Sequence, residues 1–231
     1  MARSTRPPGW LGFTWLVLSK DLHIERKSGE IVTTSGFFAL LVAVMASVAF
    51  STGENRAAVA PGVIWISMAF ASVLAISRSW HREREEGALT GLLVSPVPRG
   101  AIFTGKALGV TLFLFAVEGL VIPVAALLFA LDLTRIGGGL LGIALAATPG
   151  VAASGTLFGA MTVRTQARDL VLASVLFPLL SPTLLAAVAA TRELIVGAGL
   201  GELGDYFVLM AIFDLIFWAG GISLFGLLLE G

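Results

Sequence analysis

The sequence contains no cysteine, two histidines (His23 and His81), a single tyrosine and charged side chains at only 13% of its 231 positions. Each shortage removes a class of function. Without cysteine there are no disulfides, no thiolate metal sites and no cysteine nucleophile. Two histidines put a multi-histidine metal site out of reach. A formal net charge of zero gives no electrostatic footprint for nucleic acid. The scarcity of charge matters most, because a soluble domain carries about 25% Asp, Glu, Lys and Arg.

Apolar side chains take up the difference: 57% of residues are hydrophobic, with a mean hydropathy of +0.94. That excess is too large to hide in one aqueous core, so lipid must be the solvent for much of the surface. The charges themselves mark the membrane. Uncharged runs occupy 31–53, 57–77, 136–163 and 170–191; between Lys106 and Asp132 the only ionisable residue is Glu118, and 206–229 contains Asp214 alone. Each run reaches the ~20 residues that a helix needs to cross ~30 Å of hydrocarbon. Backbone groups find no water there, so each run is expected to be a helix. The fold class is therefore an all-α integral membrane protein with six transmembrane helices, at about 33–53, 57–77, 107–131, 138–163, 170–190 and 206–229. Residues 31–231 form this transmembrane domain and 1–30 a cytoplasmic N-terminus.

Orientation follows from Lys and Arg. Arg3, Arg6, Lys20, Arg26 and Lys27 precede the first run, Arg78, Arg82, Arg84, Arg99 and Lys106 lie between the second and third, and Arg164 and Arg168 between the fourth and fifth. Only Arg56, Arg135 and Arg192 fall on the other side. Twelve against three places the first group, and with it both termini, in the cytoplasm. Near the N-terminus, WLGFTWLVL is short and leads into Ser19-Lys20-Asp21 without a cleavage site, unlike a signal peptide. It is expected to be an amphipathic interfacial helix, anchored by Trp10 and Trp15, with Lys20, Arg26 and Lys27 facing water.

One inter-helix loop, 78–106 (RSWHREREEGALTGLLVSPVPRGAIFTGK), is long enough to host structure. Leu89, Leu92 and Leu93 share one helical face and Glu83, Glu86 and Thr90 another, until Pro96 and Pro98 end the helix. This surface helix, about 80–94, is either a solvated cap or a docking element for a soluble partner. Within the loop, Gly100 to Lys106 fits GxxxxGK, but Ala107 stands where a phosphate-binding loop needs Ser or Thr for magnesium. Nucleotide binding is not expected here. Arg99 and Lys106 are expected to snorkel to lipid headgroups instead.

Two acids lie within the spans. Glu118 and Asp214 are either polar points on a translocation path or a hinge, or protonated acids hydrogen-bonded to neighbouring helices. Span four carries Gly138, Gly142, Ala146 and Gly150 at four-residue spacing, then Gly155 and Gly159. Small residues so spaced let helices approach closely, within the chain or across a dimer. Pro123, Pro149, Pro178 and Pro182 are expected to kink or interrupt their helices.

The segment HREREEGALTGLLVSPVPRGAIFTGK resembles the coupling segment of ABC-2-type transporter membrane subunits. Within that group, KDLHIERKSGE, APGVIWISMAFASVLAISR, GTLFGAMTVRTQARDLVLASVLFPLLSP and FDLIFWAGGISLFGLLLE resemble the CcmB family, the haem-exporter B subunits of cytochrome c maturation. The similarity covers roughly 18–230; Thr90 departs from it, standing where the family leads one to expect glutamate. The resemblance implies a homodimeric permease of the bacterial inner membrane. It also implies an ATPase partner (CcmA), a haem-handling subunit (CcmC), a small subunit (CcmD) and a periplasmic haem chaperone (CcmE). By resemblance, 80–94 is a coupling helix seated in a groove of the ATPase, with Glu83, Glu85 and Glu86 facing basic or polar groups. Leu89 and Leu92 fill the contact and Gly87 permits close approach.

No nucleophile–base pair or metal cluster has credible spacing, so the chain is expected not to be an enzyme by itself and to bind no cofactor. ATP belongs to the partner ATPase. Haem iron takes His, Met, Cys or Tyr, yet both histidines are cytoplasmic and Tyr206 is alone; Met45, Met68, Met161 and Met210 lie in or near spans. Haem is thus expected as cargo held mainly by a partner and released by this subunit's motion. The alternative is an ABC-2-type exporter conducting a lipid or drug-like substrate.

Overall fold

The structure, a computed structural model, describes residues 9–50, 56–85, 91, 97–162 and 168–230. Its helices are α1 (Trp10–Ser28), α2 (Glu30–Ala49), α3 (Arg56–Glu85), α4 (Arg99–Leu128), α5 (Leu133–Thr162), α6 (Arg168–Val196) and α7 (Gly204–Glu230), with a 3-10 turn at Leu200–Leu203 before the last. No strand occurs among the described residues. Among the described residues six stretches are long and apolar enough to cross a bilayer: Glu30–Ala49, Arg56–His81, Arg99–Leu128, Leu133–Met161, Ser174–Val196 and Leu200–Leu228. The chain is a multi-pass, all-α membrane protein.

α1 is the exception. It buries Thr14, Val17, Leu18, Asp21 and Glu25, one face at helical spacing. Leu11, Trp15 and Leu16 project outward, 76%, 63% and 53% exposed. α1 thus has one face packed on the bundle and one projecting from it. Gly29 ends α1 with φ 62°, a left-handed cap that glycine adopts without strain, and its N–H donates to the Glu25 carbonyl at 2.6 Å. Across this corner Glu25 Oε1 accepts the Val32 N–H at 2.9 Å, capping the first turn of α2. The angle between the surface helix and the first span is therefore held by both backbone and side chain.

α5 packs against α3, α4, α6 and α7. Its glycines make those approaches. A Cβ at Gly139 would sit 2.5 Å from Leu194 of α6; at Gly150 it would strike Asp214 and Phe213 of α7, and at Gly155 and Gly159 it would strike Ile76 and Trp80 of α3. These small residues thus serve packing within the chain; Gly138 alone of the series faces open space.

Three local expectations change. Of the two outcomes expected at the prolines, interruption does not occur: Pro123, Pro149, Pro178 and Pro182 all lie inside continuous helices. Around Pro182 the reason is visible, because the Pro178 carbonyl, deprived of its N–H partner, accepts the Ser181 hydroxyl at 2.7 Å. The helix of the second span does not stop at 77, since α3 continues through Arg78 to Glu85. Arg78 is absorbed by an ion pair with Glu30 of α2 at 2.9 Å. The helix of the third span starts at Arg99 rather than 107, directly after Pro98.

Candidate functional site

At the end of the bundle rich in Lys and Arg, α1, α3 and α4 converge on four charged side chains. Lys106 of α4 is 2% exposed, Glu83 of α3 3% and Asp21 of α1 7%. The Lys106 ammonium lies 2.6 Å from Glu83 Oε1 and 3.0 Å from Asp21 Oδ2. Lys20 joins from the surface side, pairing with Glu83 and, at 3.3 Å, with Asp21. Lys106 also stands 5.6 Å from the centre of the Trp80 ring, a cation–π contact. A cavity of about 10 Å³ beside Asp21, Ser79, Glu83 and Lys106 has room for one water.

Two cations against two anions give a neutral network, which is what allows it to be buried. Burial by itself would raise the Glu83 carboxyl, but Lys106 and then Lys20 outweigh it and hold the carboxyl below its ordinary 4.5. Burial likewise works to lower Lys20, and Asp21 and Glu83 overcome it, so that this ammonium titrates above 10.5.

The network corrects three sequence readings. Lys106 does not snorkel to headgroups; it is an internal counter-ion. Lys20 reaches inward instead of standing free in water. Glu83 does not face outward, because its carboxylate turns onto Lys106 and Lys20. The GxxxxGK string is a packing device rather than a phosphate loop. Gly100 admits the backbone of Ile222 in α7, where a Cβ would lie 3.0 Å from the carbonyl oxygen. Gly105 admits α1, where a Cβ would lie 2.7 Å from Val17 Cβ and 2.8 Å from the Thr14 carbonyl. Of the other expected coupling residues, Glu85 closes α3, and Glu86, Gly87, Leu89 and Leu92 lie outside the described residues.

The two intramembrane acids meet at α5. Thr148 donates its hydroxyl to Glu118 Oε1 at 2.5 Å, the Trp218 indole N–H donates to the Pro149 carbonyl at 3.2 Å, and Asp214 lies against Gly150. Three successive residues of α5 thus receive α4 and α7 on polar contacts inside an apolar bundle. Both acids stand out in the sequence as the lone ionisable residues of their spans. Their shared destination does not, because Thr148-Pro149-Gly150 carries no local signal of a partner thirty or more residues away. The candidate haem ligands are scattered: His23 is exposed on α1, Met68 and Met210 are buried in α3 and α7, and Met45 and Met161 are exposed on α2 and α5.

The sequence model of the family described as CcmB protein matches residues 13–217. Heme exporter protein B of Rhodobacter capsulatus is 30% identical over 181 residues, covering 77% of this chain and 81% of the relative. The protein of the same description from Bradyrhizobium diazoefficiens is 28% identical over 184 residues, 78% of this chain and 82% of its own. That from Paracoccus denitrificans is 27% identical over 186 residues, 79% and 84%.

Proposed function

Since this chain belongs to the CcmB protein family, we propose that it is the membrane subunit of a haem exporter serving cytochrome c maturation. The match across 13–217, coinciding with six apolar spans, is the observation that carries this reading. We place the subunit in a bacterial inner membrane with both termini cytoplasmic, on the strength of the twelve-to-three excess of Lys and Arg. In this reading it works as a homodimer with a CcmA-type ATPase, a CcmC-type haem-handling subunit, a CcmD-type small subunit and a CcmE-type haem acceptor. Haem is cargo held by a partner.

Energy enters through segment 80–94. α3 runs unbroken from within the membrane to Glu85, so the segment begins as the end of a span. Glu83 ties that end to α1 and α4, which gives a push on residues 86–94 a path into three helices at once. The outward contact with the ATPase then falls to Glu86, Gly87, Leu89 and Leu92, while Glu83 and Lys106 hold the lever. The test is substitution on the leucine face. Leu89→Asp and Leu92→Asp bury a charge in an apolar contact, so the chain should still insert while co-purification with the ATPase and cytochrome c maturation fall together. Normal assembly and maturation in both variants would sink the coupling role.

A further inference from the structure

Between α4 and α5 a cavity of about 420 Å³ opens sideways, lined by Glu118, Gly119, Ile122, Pro123, Gly137 and Leu141, among others. Its size falls within the range of about 300–1,000 Å³ for small-molecule sites. The wall is apolar except for one group. Glu118 is only 4% exposed; its Oε1 accepts the Thr148 hydroxyl, and its Oε2, buried in the wall, has no hydrogen-bond partner. No Lys or Arg pairs with it among the described residues. A Cβ at Gly119 or Gly137 would meet nothing within 4 Å, so these glycines widen the groove without being needed for packing in the chain. A second lateral groove of about 430 Å³, between α3 and α6 at Trp65, Phe70, Phe177 and Leu184, has no acid at all.

We propose that the Glu118 groove is a binding site for lipophilic amines, with the Glu118 carboxyl turning its buried Oε2 from the wall onto the amine nitrogen and the hydrocarbon chain lying along the groove. A buried carboxyl with one oxygen unsatisfied offers a proton to a base, or a negative charge to a cation. A carbonyl or ether satisfies only the first of these. An amine satisfies both, because the pair stays net neutral whichever partner holds the proton, and neutrality is what hydrocarbon demands. The position of Glu118, twelve residues along α4 from Lys106 and inside an apolar span, restricts access to molecules that partition into lipid.

The test uses the full-length protein in lipid nanodiscs, dicyclohexylcarbodiimide as reporter and N,N-dimethyldodecylamine as ligand. The carboxyl O–H adds across one C=N bond of the reagent. The acyl group then shifts to nitrogen, leaving an N-acylurea that retains the whole reagent mass. The label should appear on the peptide containing Glu118, and saturating amine should slow it about tenfold or more while dodecane at the same membrane fraction leaves it unchanged. In Glu118→Gln, which keeps the acceptor for Thr148, direct binding of tritiated amine should weaken by about tenfold, the contribution of one hydrogen bond to a charged group. If that variant fails to accumulate, protection of the wild-type carboxyl decides the matter alone. Three results overturn the proposal: no label on Glu118, equal protection by amine and dodecane, or a label on the isolated chain that vanishes on assembly with partner subunits before any amine is added. The last would mean that a partner's helix fills the groove.

Discussion

Replacing Lys106 with methionine tests the buried network most directly. The substitution keeps the stem of the side chain and removes its charge, leaving Glu83 and Asp21 facing each other at 3% and 7% exposure with one cation, Lys20, half in solvent. Removing one partner of a buried pair costs about 3–5 kcal/mol, because the abandoned charge stays desolvated. The Arg78–Glu30 pair is an internal control: both side chains are 43% exposed, so Arg78→Ala should cost no more than about 1 kcal/mol. Unfolding in detergent, followed by tryptophan fluorescence, reads both. Lys106→Met with Glu83→Gln should lose less than the sum of the two single variants, since removing the cation matters less once one carboxylate is neutral. A Lys106→Met protein no less stable than Arg78→Ala, or strict additivity in the double variant, would refute the claim that these charges are held as one unit.

Two further outcomes are expected. Glu83 titrates below its ordinary 4.5, so its contribution to stability is complete above that value and is lost as pH falls through the lowered one; Lys20, raised above 10.5, contributes fully below 10.5 and loses that contribution as pH rises past its raised value. Unfolding midpoints against pH should therefore fall away at both extremes, and Glu83→Gln should flatten the acid limb. Gly105→Ala drives a methyl against the Thr14 carbonyl and Val17, and should cost about 1–3 kcal/mol and expose α1 to protease; Gly220→Ala, with nothing within 4 Å, should stabilise by about 0.4–1 kcal/mol in the same assay.

The six spans are legible in the sequence because hydrocarbon imposes one rule on every residue in it, and the runs without charge register that rule directly. Charged residues at the ends of the runs are read less well. Arg78, Glu83 and Lys106 look like the points where the chain enters water, and in the structure each finds an opposite charge on another helix, Glu83 and Lys106 in the interior and Arg78 half-exposed. Local hydropathy contains no information about Glu83 meeting a lysine 23 residues ahead and another 63 residues behind. The same limit applies to Glu118 and Asp214: their isolation in apolar runs marks them, while Thr148 and Gly150 are ordinary members of a helix. The glycines of α5 are the opposite case. Their spacing is a local pattern with a purely steric meaning, and it predicts the close approaches that Gly150, Gly155 and Gly159 make.

The chain order of the buried network has a consequence for biosynthesis. Asp21 and Glu83 are both translated before Lys106, so two carboxylates wait without the counter-ion that will bury them. The network can close once Lys106 has left the ribosome, before the last three spans exist. α1 is then no loose leader during membrane insertion but a latch that engages the third span, and the N-terminal half of the protein becomes an assembly step of its own. A chain truncated after Leu128 should already shield Lys106 from amine-reactive reagents, as the full-length chain does; an accessible Lys106 there would place closure of the latch after synthesis of the later spans.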